Sequence, residues 1–184
     1  MKLSNKGWFV SIYFDIILFW RYSSSRMSDL FFGNEGKRFS QQEIVQEIRR
    51  YMLEKPQNPY KIIVGSDSQP LGETADFVTA IVVHRVGNGG RYFWKRMAGA
   101  RVFNLRDRIL KEVMFPLDTA VEILKILKEN IDIKFDFEVH VDVGNNGKTS
   151  ELISEVTGMI RAYNFPFKTK PESYAASSVA DKHA

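Results

Sequence analysis

The order of its apolar segments restricts the fold of this chain more than any other feature of the sequence. Three strand-like runs follow one another directly, at residues 60–69, 77–86 and 91–97, before strand-like and helix-like segments begin to alternate. The turn sequence GNGG joins the second run to the third, which indicates a β-hairpin. A chain with three sequential strands before a βαβα succession is neither a Rossmann repeat nor a sandwich.

Helical spacing flanks these strands on both sides. The first helix begins at Ser40, which forms a capping-box pattern with Glu43 and is followed by apolar residues at every fourth position, Ile44, Ile48 and Met52. A long second helix is predicted over residues 104–131, with an apolar face made of Ile109, Val113, Leu117, Val121 and Leu124. Pro116 is expected to kink or break this helix because proline lacks a backbone N–H.

The rest of the chain alternates between strand and helix patterns. A strand at 135–144 shows the alternation Phe135, Phe137, Val139 and Val141, and a helix at 148–165, a short strand at 166–170 and a terminal helix at 175–184 follow. We therefore predict an α/β domain with a five-stranded mixed sheet, in which three antiparallel strands precede parallel strands and helices flank the sheet. This is the order of elements in the ribonuclease H-like fold.

Four acidic residues stand where this fold brings strand ends and helices together. Asp67 lies at the end of the first strand and Glu112 in the long helix. Asp142 lies at the end of the fourth strand and Asp181 in the last helix. The first and fourth strands are predicted neighbours, so their carboxylates should face each other at one edge of the sheet. Two carboxylates at such a short distance repel each other unless a cation binds between them. Oxygen ligands of this kind are preferred by Mg²⁺ and Mn²⁺. Two such ions can activate a water and stabilise the leaving oxygen in phosphodiester cleavage.

Each of these acids also has a simpler interpretation. The two that follow strands are typical turn residues, and the one in the last helix is equally suited to be a surface charge near the end of the chain. Glu112 could be a solvated helix residue, in which case Asp107 or Asp118 would supply the helical carboxylate. Four acids in the order that one fold requires favour the metal site over these separate interpretations.

The sequence GNNGKT at 144–149 has part of the composition of a nucleotide-binding loop. Its spacing is wrong for that loop, because the first glycine would have to occupy position 142, where Asp142 stands. The start of the following helix can still hold a phosphate through its backbone N–H groups. We therefore predict that Lys148 and Thr149 contact nucleic-acid phosphates.

Two further residues are candidates for the same site. Lys170 could line a nucleic-acid groove, or it could be a solvated charge. His183 stands two residues after Asp181 and is predicted to shuttle a proton, although a disordered terminus is the alternative for this position.

Residues 1–26 differ in composition from the rest of the chain. Their apolar run from Trp8 to Trp20 contains Asp15 and is shorter than the roughly 20 residues of a membrane-spanning helix. A signal or membrane anchor, an added strand or helix on the domain, and an upstream extension with Met27 as the true start are the three interpretations. The change in composition at Met27 favours the extension, so the working domain is predicted to span residues 27–184.

Net charge alone does not indicate a partner. The whole chain carries +4, of which +3 comes from the first 26 residues, so the body of the domain is nearly neutral. The chain contains no cysteine, which excludes disulfides and cysteine-based zinc sites.

Four longer segments together resemble the YkuK-like family of bacterial proteins: YKIIVGSDSQ, FVTAIVVHRVGNGG, HVDVGNNGKTSELISEVTGMI and KPESYAASSVADKH. The resemblance covers roughly residues 30–184. It implies a ribonuclease H-like fold, a cytoplasmic protein and, as a prediction for that family, nuclease activity. It also implies that the four acids of that superfamily correspond here to Asp67, Glu112, Asp142 and Asp181.

Three functions remain open at this point. The leading hypothesis is metal-dependent hydrolysis of phosphodiester bonds in RNA, DNA or a hybrid, with no membrane contact by the folded domain. The alternative is a nucleic-acid-binding or regulatory module that keeps the fold without efficient catalysis. The enzyme should bind Mg²⁺ or Mn²⁺ through Asp67 and Asp142, whereas the module need not. A phosphate-ester hydrolase acting on small molecules is the third.

Overall fold

The structure is a computed structural model that describes residues 30–33, 36–144 and 150–184, without the side chains of residues 174–177. The predicted extension at residues 1–26 lies outside these residues. The predicted phosphate contacts Lys148 and Thr149 also lie outside them.

A mixed sheet of seven strands forms the centre of the described structure, in the order β2-β1-β5-β4-β3-β6-β7. The strands are β1 (Phe31–Phe32), β2 (Arg38–Phe39), β3 (Tyr60–Leu71), β4 (Thr74–Arg85), β5 (Gly90–Arg101), β6 (Asp136–His140) and β7 (Phe167–Lys168). Strands β3, β4 and β5 are antiparallel neighbours, while β6 runs parallel to β3 and β7 parallel to β6. The predicted antiparallel start followed by parallel strands is therefore confirmed.

The predicted number of five strands is wrong, because β1 and β2 extend the sheet beyond β5. Phe32 lies opposite Trp94 of β5, and its ring stacks on the indole at a centroid distance of 4.7 Å. Each of these two strands has only two residues, which is too short to show the alternation from which strands are recognised in a sequence.

Four α-helices of the described residues pack on the sheet. They are α1 (Gln41–Leu53), α2 (Leu105–Asn130), α3 (Ile153–Ala162), which follows a 3₁₀ turn at Ser150–Leu152, and α4 (Tyr174–Asp181). Helix α1 begins with the predicted capping box between Ser40 and Glu43. Side chains of α1, α2 and α3 join one hydrophobic core with the sheet, and Ala180 of α4 packs against β4 in a separate cluster. None of the described helices is long and apolar enough to cross a membrane.

Helix α2 runs without a break through Pro116, contrary to the prediction for that residue. A proline at this position cannot donate to the carbonyl of Glu112, four residues earlier. The Ser66 hydroxyl of β3 donates to that carbonyl instead. A tertiary hydrogen bond thus satisfies the acceptor that the proline leaves open, and the helix continues.

The buried face of α2 also departs from the predicted one in its second half. Ile109, Val113 and Leu117 are buried as expected, but Val121 is 46% exposed. Steps of four residues rotate slightly past a full helical turn of 3.6 residues, so the predicted stripe drifts away from the core. The buried face continues instead through Ala120, Ile123 and Leu127.

Candidate functional site

The candidate site begins where the parallel pairing of β3 and β6 ends, at Gly65 and His140. Strand β3 continues beyond this point, paired with β4 as far as Leu71. Asp67 therefore lies within β3 and not at its end, because the antiparallel hairpin is longer than the parallel pair. Asp142 follows β6 by two residues. Both carboxylates thus lie past the carboxyl end of one pair of parallel strands, where α/β sheets bind ligands.

Asp67 lies on the face of β3 that α4 covers. Its partner across β4 is Val78, which packs against α4, and side chains on the same face of paired strands lie side by side. Burial is the main cause that raises the pKa of Asp67. The carboxylates of Asp142 and Asp181 raise this pKa further. The Ser68 N–H acts in the opposite direction by donating to the Asp67 Oδ1 atom over 2.8 Å.

Glu112 is held by two serines that flank Asp67 on β3. The Ser68 hydroxyl donates to the Glu112 carboxylate, and the Ser66 hydroxyl donates to its carbonyl. The glutamate is only 8% exposed, and this burial raises the pKa of its carboxyl to about 7. The negative charges of Asp67 and Asp142 raise this pKa too, so the three carboxylates interact electrostatically.

The other two acids considered for the helical position have different surroundings. Asp107 accepts hydrogen bonds from the Phe103 N–H and from the Lys111 ammonium, at 3.0 and 2.7 Å. Asp118 is exposed. Burial raises the pKa of Tyr163, and the charge of Asp118 raises it further. Of these three acids of α2, Glu112 is the one whose pKa the charges of Asp67 and Asp142 raise.

Lys170 supplies a positive charge at this cluster. Its Nζ atom lies 2.8 Å from Oδ1 of Asp142, and its backbone N–H donates to the Val143 carbonyl, also over 2.8 Å. The charge of Lys170 also lowers the pKa of Asp67. The residue that we predicted as a nucleic-acid contact thus pairs with a carboxylate of the site in this structure.

His183 lies on β5 as an aromatic neighbour. Its ring stacks on Trp94 at a centroid distance of 4.1 Å with an angle of 9° between the planes. Its Nε2 atom is buried without a hydrogen-bond partner among the described residues, and burial lowers the pKa of the imidazole. The proton-shuttle role of His183 stays a prediction, whereas its packing role is visible in this stack.

The donor chemistry of this cluster fits a hard divalent cation. Carboxylate oxygens are the ligands that Mg²⁺ and Mn²⁺ prefer, and burial together with mutual repulsion disfavours ionised carboxylates that lack a cation. Within the described ranges, however, no group of three or more His, Asp or Glu side chains is arranged so that it could hold a metal ion. The carboxylates therefore have the chemistry of metal ligands, but Asp142 is paired with the Lys170 ammonium.

The two serines on either side of Asp67 are site residues that the sequence analysis missed. The segment GSDSQ contained a usable signal, because side chains alternate along a strand. Ser66 and Ser68 must then share the face opposite to Asp67, which is the face that α2 covers. Two buried hydroxyls need hydrogen-bond partners, and Glu112 supplies an acceptor for each.

A broad surface cavity lies at the opposite end of the sheet. It has a volume of about 1300 Å³, and its walls include Tyr60, Phe135, Tyr163 and Phe165. Tyr60 and Asp136 stand at the amino ends of β3 and β6, so this cavity is separate from the four acids. Its size does not make it the candidate site, because it lacks the carboxylate cluster.

Comparisons with known proteins agree with this architecture. Residues 43–184 match the family model described as ribonuclease H-like. "Uncharacterized protein YkuK" of Bacillus subtilis (strain 168) is 30% identical over 168 residues, which covers 84% of this chain and 96% of that protein. No solved structure matches the chain significantly. From the family match over most of its length, together with the mixed sheet, we conclude that the chain belongs to the ribonuclease H-like family.

Proposed function

We propose that this protein is a metal-dependent nuclease that hydrolyses phosphodiester bonds of RNA, DNA or an RNA–DNA hybrid. The observation that supports the proposal is that Asp67 and Asp142 both lie past the carboxyl end of the parallel pair β3 and β6, with Glu112 of α2 near enough for its charge to interact with theirs. Asp67, Glu112, Asp142 and Asp181 would hold Mg²⁺ or Mn²⁺ there. A pair of such ions, when bound, supplies an activated water and stabilises the leaving oxygen.

The surroundings of each acid suggest a separate role for it in binding the metal ions. Asp67 interacts with Asp142, with Asp181 and with Glu112, which suits a ligand shared between two ions. Glu112 and Asp142 would each hold one of the ions. Asp181, exposed at the end of α4, would hold the second metal ion or orient the attacking water.

Positive groups around the site would bind the substrate. We propose that Lys170, together with Lys148 and Thr149, contacts phosphates next to the cleaved bond. Lys170 supports this role because its ammonium already lies beside a negatively charged oxygen of Asp142, where a phosphate can replace the carboxylate as its partner.

One observation favours a second candidate, a nucleic-acid-binding module with weak catalysis. The Lys170–Asp142 ion pair neutralises one carboxylate of the cluster with a protein side chain. A protein that had lost its need for metal ions would keep such a pair. The two candidates differ in whether a divalent cation binds and whether a phosphodiester bond breaks.

Cleavage of labelled RNA, DNA and hybrid by the full chain, with Mg²⁺ or Mn²⁺, tests the proposal. We expect Asp67→Asn and Asp142→Asn each to lower the cleavage rate by about 100-fold or more, because each removes a charged group at the reacting centre. Asp136→Asn, at the opposite end of β6, is the matched control and should cleave at the normal rate. Equal cleavage by all variants, or no cleavage of any polymer, would overturn the nuclease and leave the binding module.

A further inference from the structure

An exposed aromatic ring stands two residues before α2, the helix that carries Glu112. Phe103, in the connection between β5 and α2, keeps 73% of its surface exposed, more than any other large apolar side chain that the structure describes. Exposing a phenylalanine forgoes roughly 2 kcal/mol of burial free energy. The exposed ring offers a face on which a planar group of a partner can stack.

The backbone around this ring is fixed by hydrogen bonds. The Phe103 N–H donates to Asp107 Oδ2 over 3.0 Å, and the Val102 N–H donates to the Glu73 carbonyl over 2.9 Å. Lys111 donates to the Arg101 carbonyl over 2.6 Å and to Asp107 over 2.7 Å. The ring is therefore presented on an ordered segment, which lowers the entropy cost of binding a partner.

Two cations lie beside the ring: Arg101, and Lys111 with its Nζ atom 5.7 Å from the ring centre. The segment 101–111 has a net charge of +3 in the sequence, but Lys111 pairs with Asp107 and Arg106 pairs with Glu155 of α3. The guanidinium carbon of Arg101 lies 5.2 Å from the centre of the Phe103 ring. Arg101 is exposed, so its guanidinium is accessible to an anionic partner. This surface favours a partner that is both anionic and aromatic.

The segment leads directly to the carboxylates. Helix α2 begins at Leu105 and reaches Glu112 seven residues later, about 10 Å along the helix axis. That distance equals roughly three steps of a stacked strand, at 3.4 Å each. Arg108 lies between the two points, with its Nε atom 4.0 Å from Glu112 Oε1.

We infer that Arg101 and Phe103 bind one unpaired nucleotide of a single-stranded nucleic acid whose backbone continues along α2 towards Glu112. The inference rests on the proposed function, and it adds a substrate class and a binding surface. A base stacks on the ring and a phosphate meets the guanidinium, the combination by which proteins hold single strands. In a duplex the faces of the bases are already stacked on each other, so an intact duplex does not offer this contact.

Anisotropy of a fluorescein-labelled oligothymidylate of about 16 nucleotides, titrated with the full chain in EDTA, tests the inference without cleavage. We expect Phe103→Ala to weaken binding roughly tenfold, since stacking of one base contributes about 1–3 kcal/mol. Phe103→Trp should bind as the wild type does and should show quenching of the new indole. Arg101→Gln should lower the slope of log affinity against log salt by about 0.7.

Leu53→Ala is the matched control, because Leu53 is a 51% exposed apolar residue at the end of α1. A labelled duplex of the same length should bind equally to the wild type and to Phe103→Ala. If Phe103→Ala binds the single strand as tightly as Leu53→Ala does, the inference is overturned, and the exposed ring is left for a protein partner.

Failure of the inference and failure of the proposed function give different results. If the wild type shows no metal-dependent cleavage while Phe103→Ala still loses single-strand binding, the surface is supported and the nuclease is not. If Asp67→Asn abolishes cleavage while Phe103→Ala binds normally, the nuclease is supported and the surface is overturned.

Discussion

Pro116 is unfavourable inside a helix, but in α2 it leaves the carbonyl of Glu112 free to accept a hydrogen bond from another element. The proline frees the carbonyl of Glu112, and the Ser66 hydroxyl on β3 takes the place of the missing backbone donor. Ser68 then reaches the carboxylate of the same glutamate. The proline thereby ties one acid of the cluster to the strand that carries another.

This arrangement predicts a coupling between Ser66 and Pro116. Ser66→Ala leaves the buried carbonyl of Glu112 without its donor, which should cost about 1–3 kcal/mol of unfolding free energy. Pro116→Ala restores an N–H at position 116, so the same serine change should cost less in that background. Urea unfolding of the two single variants and the double variant measures the coupling, and additive costs would contradict the account.

The raised pKa of Glu112 predicts how the stability of the metal-free protein depends on pH. The carboxyl has a pKa of about 7 in the folded protein against 4.5 as its ordinary value, so the folded state holds the proton more tightly. The free energy of unfolding therefore falls as pH rises from about 4.5 through 7, by an amount on the order of 3 kcal/mol. Glu112→Gln removes this loss and should be more stable than the wild type at pH 8.

Chemical unfolding of both proteins in EDTA from pH 4 to pH 8 checks this prediction. The difference in unfolding free energy between Glu112→Gln and the wild type should fall to zero near pH 4. At that pH the wild-type carboxyl is largely neutral in both the folded and the unfolded state. Glu129→Gln, exposed on the same helix, is the control and should follow the wild type throughout. A stability difference that stays constant with pH would show that burial of a charge at position 112 is not its cause.

At the scale of elements, α4 is the part that depends most on its neighbours. A helix of eight residues is too short to be stable alone in water. The helix contacts strands β3, β4, β5 and β6, and Ala180 packs in a cluster with Val78 and Ala80. Beyond its end the His183 ring stacks on Trp94. The stack fixes the chain two residues after Asp181, so it also fixes the position of that carboxylate.

Loss of the stack should therefore loosen the end of α4. We predict that His183→Ala speeds hydrogen exchange of amides in residues 178–184 by roughly three- to tenfold, since such a ring pair contributes about 0.5–1.5 kcal/mol. His183→Phe, which keeps an aromatic ring, should restore the wild-type rates. Exchange that is equal in all three proteins would show that the stack does not hold the helix.

The elements that the sequence predicted well are those with long, regular patterns. The capping box at Ser40 and the three long strands of the antiparallel start are found where local patterns placed them. Pro116 and Val121 were misjudged for physical reasons that lie outside local pattern. A serine on another strand supplies the missing donor at Pro116, and the exact helical pitch turns Val121 away from the core.

At the scale of the whole molecule, the sheet brings together acids that are far apart in the sequence. Asp67 and Asp142 are 75 positions apart, and the parallel pairing of β3 with β6 places both beyond the same strand ends. The order of elements made this meeting predictable. The pairing of Lys170 with Asp142 and the stacking of His183 were not predictable, because both depend on where short segments near the end of the chain pack.

In the function we propose, the carboxylates around Asp67 form one site for divalent cations. Calorimetric titration of the metal-free full chain with Mn²⁺ tests it most directly, with Asp67→Asn and the control Asp136→Asn measured alongside. We predict saturable binding by the wild type and the control, and an affinity at least about tenfold lower for Asp67→Asn. Absence of binding by the wild type, or equal affinity in all three proteins, would contradict the claim.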